Sequence, residues 1–534
     1  MMVHNFIKTL ITLIVILQIT CLAQAERWVY RYSGAPEWQN DCAKALCYGL
    51  DGNLYVGGYT WNTGTNEDFT VISLTNLGSE RWIYRYLSSG NNWDECYSIC
   101  YGIDGNIYAA GACTGSDTSL HYFTVISLTT GGTERWVYQY PQSSSANSMC
   151  FGSDGNIYAV GNTQGKILIV SLTNGGAENW HYIYDTLSSE ANPGRSITYA
   201  LDGNIYIAGY SGSGYTNVTV ISLTNTGAER WIYTYNGPGN CYDYGNCIVY
   251  GPDSNLYVFG NTCYLWGPGY VFSQGLAISL TTSGGERWTY ISPADPSSFK
   301  SGIYGANGNL YAAGDYGWDV FDFLVESISD SGTYRWQYID TTWGFATSIT
   351  YGNDGNIYAG GTTSNNISYE DYFTIMSFAS DSSLRWIYKY RRPGTAADYN
   401  AAHSVVYGED GNIYAAGGTQ DSITGVDFTV IGLSSGPGVN EANKIDKPAC
   451  MELTITPSVV YQKVQLYIHI LTQQNIDLKV YDITGREISV IVIGSIAAGM
   501  HIYDLDVSNF SSGVYFVKLK GENEERTKKI LVVK

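Results

Sequence analysis

Two short phrases, each recurring eight times, predict an all-β chain: an eight-bladed β-propeller closed by its own N-terminal strand, followed by a small Ig-like β-sandwich. The first phrase is (D)GN-I/L-Y, at Gly52, Gly105, Gly155, Gly203, Gly308, Gly355 and Gly411, with Ser254-Asn255-Leu256-Tyr257 filling the remaining place. The second is W-x-Y, at Trp28, Trp82, Trp136, Trp180, Trp231, Trp288, Trp336 and Trp386; Arg precedes seven of these, and Asn179 stands before Trp180. Successive copies of the first phrase lie 47 to 56 residues apart, the length of one four-stranded blade. Composition agrees: 61 Gly, 48 Tyr and only 14% charged residues suit short strands and tight turns rather than helices.

The elements follow in order along the 534 residues. Residues 1–25 hold one Lys, an apolar run from Leu10 to Ile19 and small residues at Ala23 and Ala25, which predicts a secretory signal cleaved near Ala25. Residues 26–435 are the predicted propeller. In its second unit the strands are Ser98–Gly102, Asn106–Ala112, Tyr122–Thr129 and Arg135–Tyr140, the first two joined by an Asp104-Gly105 turn in which Gly accepts positive φ. The last unit supplies only three strands, ending near Leu433, and the missing fourth is Arg27–Tyr32. The mature N-terminus would thereby cover an otherwise exposed sheet edge. Within W-x-Y the Trp and Tyr share a face, and their recurrence reads as packing between neighbouring blades. Residues 436–448 are a Gly/Pro/Asn/Lys-containing linker, and residues 449–534 alternate apolar and polar positions, as a small antiparallel sandwich requires.

The tail also resembles a known family, the C-terminal sorting domain of type IX secretion cargo. The residues that carry the likeness are Val480-Tyr481-Asp482 with Gly485-Arg486, then Gly499, Ser512-Gly513-Val514-Tyr515-Phe516, and the basic ending Lys528-Lys529-Ile530-Leu531. Thr456-Pro457-Ser458 stands where that family usually has Asn-Pro. The resemblance implies passage across an outer membrane through the type IX machinery, with Tyr481, Asp482, Gly485, Arg486, Gly513 and Tyr515 as the motif residues. The repeats resemble bacterial secreted propeller repeats of the SBBP-like kind, a family without one agreed activity. The G-x-x-x-W spacing, Gly78 to Trp82 and Gly132 to Trp136, is similar to the tryptophan motif of quinoprotein propellers. Those enzymes use a quinone and calcium and often carry adjacent cysteines; no Cys-Cys pair exists here, so the likeness extends to scaffold alone.

A net charge of −20 argues against nucleic-acid binding, which needs Lys/Arg patches. No stretch after the leader is long and apolar enough to cross a bilayer as a helix. The chain is therefore expected to be secreted or held at the outer cell surface. Export permits disulfides: Cys96 would face Cys113 across one hairpin, and Cys241 or Cys247 could reach Cys263 in another. Cys47, Cys100 and Cys150 occupy one repeat position and read as packing groups.

Function is expected on the disc face that carries the second–third loops and the connections between blades, since these are long and irregular. Six Trp outside the repeat phrases map there: Trp38, Trp61, Trp93, Trp266, Trp318 and Trp343. They are the ligand-binding candidates, because exposed aromatic planes stack on sugar rings or peptide side chains. Loop carboxylates that a glycosidase could use are Glu67, Asp94, Glu95, Asp243, Asp319, Glu370 and Asp371. The Asp of the DGN turns reads as a turn former rather than a calcium ligand. No H-E-x-x-H or G-x-S-x-G pattern appears, so no catalytic residue, metal or cofactor is assigned. The reading is an exported recognition or adhesion protein binding glycan or protein, with a polysaccharide hydrolase or lyase and a structural matrix protein as alternatives.

Overall fold

The computed structural model describes residues 24–34, 39–88, 93–115, 120–185, 192–265, 271–317, 321–364, 370–392, 399–421, 425–437, 451–456, 459–460, 462–470, 474–483, 485–497, 499–521 and 525–534. The described residues are all-β, and the chain divides into two compact units, Met1–Gly438 and Val439–Lys534.

In the first unit the repeats fold into successive antiparallel sheets, giving a propeller-like arrangement. The first sheet runs Cys42–Tyr48, Asn53–Asn62, Asn66–Thr75 and Glu80–Tyr86, each strand paired with the next. Residues 95–390 repeat this order through seven sheets counted with the first. The eighth consists of Asn400–Tyr407, Asn412–Asp421 and Gly425–Pro437, with Gln24–Tyr32 as its outer strand. Trp28 lies opposite Gly432 and Tyr30 opposite Val430 in that last antiparallel pairing. The second and third sheets differ from expectation in having no loop between them: Glu134–Phe151 is one strand of 18 residues serving both.

The repeated phrases explain the packing. In the first turn, Gly52 adopts φ +75°, and the Asp51 carboxylate accepts the Asn53 N–H at 3.2 Å and the Tyr55 hydroxyl at 2.5 Å. The Asp of these turns is thus consumed in holding its own turn and the following strand, and the same contacts recur at Asp104, Asp154, Asp253 and Asp354. In six repeats the Arg before the Trp donates to the third-strand Ser, as Arg81 does to Ser73 at 2.8 Å; Asn179 makes the equivalent bond to Ser171, and Arg27, where Gly432 replaces that Ser, donates to the Tyr414 hydroxyl at 3.0 Å.

Each Trp reaches into the next sheet. Trp28 donates its indole N–H to the Asn76 carbonyl at 3.0 Å, and Trp82 to Thr130 at 2.9 Å. The ring lies on the turn glycine beyond: a Cβ on Gly78 would stand 2.4 Å from Trp28, and Gly78 holds φ +82°. The G-x-x-x-W spacing therefore pairs a tryptophan with the glycine that seats the tryptophan of the preceding sheet. Six of the eight rings are half-buried wedges between sheets, not fully enclosed core; only Trp336 and Trp386 are buried. Trp386 is the exception in bonding as well, for among the described residues its indole N–H has no acceptor. The carbonyl at the equivalent place, that of Ser435, accepts from Arg385 at 3.3 Å instead. In seven of the eight the Tyr of W-x-Y adds a bond to a Glu of the next sheet, as Tyr84 does to Glu134 at 2.5 Å, Tyr233 to Glu286 at 2.7 Å and Tyr388 to Glu26 at 2.5 Å.

The second unit contains a three-stranded sheet, Met451–Thr456, Lys463–Ile470 and Gly499–Asp506. A five-stranded sheet runs in the order Val459–Val460, Glu525–Val532, Gly513–Lys520, Gln474–Asp482 and Glu487–Ile496. Leu453, Leu466 and Ile468 of the first and Leu478, Val480 and Val517 of the second enclose one apolar core, the arrangement that period-two alternation requires.

Candidate functional site

Side chains at the ends of the innermost strands are set by a repeated irregularity. In all eight of those strands the register slips by one residue at the same place, a β-bulge. The extra residues are Lys44, Tyr97, Asn147, Arg195, Asn246, Lys300, Thr347 and His403. The repeat is regular in backbone here and irregular in chemistry. Three of the eight tie the next sheet: Asn147 donates to the Gly194 carbonyl at 2.8 Å, Asn246 to Phe299 at 2.9 Å and Thr347 to Ala402 at 2.6 Å. The tied carbonyls immediately precede Arg195, Lys300 and His403, so small bulge residues hold the bulges that carry long ones. Lys300 pairs with Asp315 at 2.7 Å, and His403 Nε2 meets the Tyr399 hydroxyl at 2.8 Å. Burial pushes His403 down to about 4.

A second repeated device disposes of several candidate carboxylates. Asp94, buried, accepts the N–H of Ser88 at 3.3 Å and of Thr114 at 2.6 Å, clasping the connection to the end of the second strand. Asp243 does the same with Gly237 at 2.7 Å and Cys263 at 3.2 Å, and Asp41 with Gly34 at 2.7 Å and Trp61 at 2.5 Å. Asn192 and Asn400 make the neutral version. Glu370 pairs with Arg391 and Asp371 accepts the Ser364 hydroxyl, while Asp319 lies outside the described residues. Among the described residues Glu67 and Glu95 clasp no backbone N–H in this way, and Glu95 accepts the Tyr97 hydroxyl instead.

Glu95 acts on Glu67. Burial, then repulsion from Glu95, raises Glu67 to about 7, and Lys44 opposes the shift. Burial raises Asp41 to about 7 as well. Between about pH 4.5 and 7 the folded chain binds more protons at Glu67 than the unfolded chain does. The stability contributed by Glu67 is therefore full below about pH 4.5 and lost as pH rises through about 7. His403 works in the opposite sense, so the clean observable is a difference. The melting temperature of Glu67→Gln relative to wild type is expected to climb between pH 4.5 and 7.5; a flat difference would mean Glu67 titrates normally.

Of the six candidate Trp, Trp38, Trp266 and Trp318 lie outside the described residues. Trp61 is half-buried, and Glu67 pairs with it across the hairpin and bridges Trp93 on the other side. Trp343, also half-buried, has φ +28° and offers its carbonyl to Ser364. Trp93 is 58% exposed. Its backbone is fixed by Thr114, whose hydroxyl receives the Trp93 N–H at 3.0 Å and donates to the Trp93 carbonyl at 2.8 Å. Beside it opens a cleft of about 340 Å³ lined also by Glu95, Tyr97, His121, Ser145, Asn162 and Gln164. The structure thus brings Trp93 and Glu95 together at one cavity; Trp61 and Trp343 do not line it. Other exposed aromatics at loop ends, Tyr215 and Tyr242, were missed because Tyr is so common in this sequence that position alone singles none out.

The disulfide joins Cys241 to Cys263. Cys247 is free: it stands opposite Phe259 and turns its thiol to the Gly302 carbonyl of the next sheet. Cys96 and Cys113 are also free, correcting the expected pair. Cys96 lies opposite Gly111, so Cys113 is a diagonal neighbour, at a separation of roughly 7–8 Å that a disulfide does not span. Cys47, Cys100 and Cys150 do pack at the sheet interfaces, and burial raises all three thiols.

In the tail the motif residues build one hairpin turn and its neighbour. Gly485 holds φ +81° and its N–H donates to the Asp482 carbonyl; the Asp482 carboxylate receives Arg486 N–H at 3.1 Å and Nε at 3.0 Å. Tyr481 lies opposite Phe516 and Asp482 opposite Tyr515, whose hydroxyl donates to the Ser511 carbonyl at 3.0 Å. Residues 462–533 match the family model described as the secretion system C-terminal sorting domain. The tail is a type IX sorting domain. It implies engagement with the type IX machinery and a secreted or cell-surface destination. Among the described residues no helix is long and apolar enough to cross a membrane.

No curated protein matches the chain. Among solved structures it is similar to Sqt1 of Chaetomium thermophilum, at 12% identity and TM-score 0.49 over 76% of this chain and 98% of that one. It is also similar to the quinohemoprotein alcohol dehydrogenase ADHIIG of Pseudomonas putida HK5, at 10% identity and TM-score 0.48 over 82% and 80%. A third is PorZ of Porphyromonas gingivalis, a surface component of the type IX secretion system, at 12% identity and TM-score 0.38 over 92% and 70%. At these scores none of the three carries a site or an activity over to this chain.

Proposed function

We propose that the chain is an exported, non-enzymatic recognition protein whose propeller-like unit binds a glycan at the cleft beside Trp93. Residues 26–435 form a closed eight-bladed propeller in this reading, after removal of residues 1–25 near Ala25. Three contacts support closure: Tyr388 on Glu26, Trp28 on Asn76, and Asn400–Tyr407 packed beside Cys42–Tyr48. Residues 436–448 link the propeller to an Ig-like sandwich, 449–534, that the type IX machinery reads.

The observation that carries the recognition reading is the placement of Trp93. A rigid indole, held at its backbone and open to solvent, faces a cleft whose walls offer a carboxylate, a phenol, an imidazole, hydroxyls and amides. Apolar planes with a few polar groups around them suit sugar rings, which present C–H faces and hydroxyl edges. Trp93→Ala is expected to weaken glycan affinity about five- to tenfold, on the order of 1 kcal/mol, without lowering the melting temperature, because the ring is exposed. A protein ligand would be lost with the same variant but would compete with no sugar.

The paired carboxylates favour a second reading, a glycoside hydrolase with Glu67 and Glu95 as acid and base. Released reducing ends, abolished by Glu67→Gln or Glu95→Gln in a folded chain, would establish it in place of the first.

A further inference from the structure

One exposed cation stands apart from the cleft. Arg195, the extra residue of the fourth inner-strand bulge, is solvent-exposed in a chain of net charge −20, and among the described residues no carboxylate lies within ion-pair distance of it. Its bulge is clamped from the third sheet by the Asn147 bond to the Gly194 carbonyl. The guanidinium lies over Tyr210, 5.4 Å from the ring centre, and reaches the Tyr210 hydroxyl at 3.1 Å.

From Tyr210 a file of phenols runs outward. Tyr210 meets Tyr244 edge-on at 4.5 Å; Tyr244 is parallel to Tyr242, 3° between planes and 6.4 Å between centres; Tyr242 meets Tyr215 edge-on at 5.3 Å. Tyr242 and Tyr215, at 39% and 50% exposure, have no need to be aromatic for packing. The file is anchored at both residues that flank it in the chain: Asp243 clasps the Gly237 N–H, and Cys241 is disulfide-bonded to Cys263.

We propose that this file is a second carbohydrate site, taking a carboxylated (uronate-bearing) oligosaccharide whose rings stack on Tyr242 and Tyr215 and whose carboxylate meets Arg195. Stacking planes supply sequence-tolerant affinity for pyranose faces. The planar guanidinium matches a carboxylate with two parallel N–H donors, which a lysine does not. At physiological ionic strength the chain's overall negative charge is screened beyond about 8 Å, so the local arginine sets the sign of the interaction. The site rests on the glycan-recognition reading and extends it by naming a ligand class and a separate place.

The test is calorimetric titration of the mature full-length chain with an oligogalacturonate, a neutral galacto-oligosaccharide of equal length and a sulfated one. Wild type is expected to prefer the uronate over the neutral sugar about fivefold, and raised salt should remove the preference. Arg195→Gln is expected to erase that preference while leaving neutral-sugar affinity unchanged, and Tyr242→Ala to weaken both about fivefold. Trp93→Ala should leave the uronate preference intact. Equal affinity for uronate and neutral sugar, or a preference surviving Arg195→Gln, overturns the site; so does tighter binding of the sulfated sugar, which would assign Arg195 to sulfate. If binding is lost only with Trp93→Ala, the second site fails while the cleft reading stands.

Discussion

Deletion of residues 24–34 abolishes cooperative folding of the propeller-like unit. Those residues supply the outer strand of the eighth sheet, pairing from Gln24 opposite Pro437 to Tyr32 opposite Phe428. Their loss leaves the Gly425–Pro437 strand as an open edge and strips Trp28 from its seat on Gly78 and Asn76. It also removes Glu26 from Tyr388 and part of the cover over Trp386, which is 1% exposed in the intact fold. Removing one well-packed large aromatic costs about 3–5 kcal/mol, and a domain has about 5–15 kcal/mol in hand. A strand that takes Trp28, Val29, Tyr30 and Tyr32 with it exceeds that margin. Thermal or urea melting followed by Trp fluorescence should show a broad, low transition in place of a sharp one. A synthetic peptide of residues 24–34 added in trans should restore the sharp transition. A sharp, unshifted transition without the strand would mean that the N-terminal pairing is peripheral.

Deletion of residues 439–534 has the other large effect, on destination rather than folding. The two units are separately compact, and the sorting domain encloses its own core. The shortened chain is therefore expected to fold with unchanged melting of the first unit yet to accumulate in the periplasm, while the full chain reaches the surface or medium. Fractionation with an antibody to the first unit reads the difference. Single variants separate recognition from folding. Asp482→Ala removes two bonds that organise the turn and should destabilise the tail by about 1 kcal/mol. Among the described residues Arg486 is bonded only to that turn, and its side chain is 76% exposed. An export defect in Arg486→Ala with an intact tail would assign the guanidinium to contact with the machinery; normal export of the tailless chain would remove the tail from the route altogether.

Much of the strand order was readable because two phrases recur at a fixed period. The pairing of Arg27–Tyr32 with the last repeat followed from counting outer strands, and the turn role of Asp51 and its counterparts from the chemistry of Asp-Gly turns. What escaped was whatever does not repeat in residue type. The eight bulges occur where the alternation of each inner strand is broken by a single residue, and that residue is of six different types across the eight copies, from Lys44 to His403. The clasps at Asp94 and Asp243 looked like loop carboxylates because burial is invisible in a loop of irregular length. The Cys96–Cys113 pair failed by two residues of register, a displacement that a bulge between Cys96 and Ser98 makes unreadable from spacing. The tyrosine file behind Arg195 joins a second–third loop, a connection and two strand ends; no linear motif links Tyr210, Tyr215, Tyr242 and Tyr244.

The recognition reading stands or falls on one titration: the mature chain against a panel of glycans, with Trp fluorescence as the binding signal and reducing ends assayed in the same wells. The expected result is saturable binding without released product, weakened five- to tenfold by Trp93→Ala at an unchanged melting temperature. Product formation abolished by Glu67→Gln would contradict it and make the chain a hydrolase. Binding that Trp93→Ala leaves untouched would also contradict it, since the cleft beside that indole would then not be where the glycan sits.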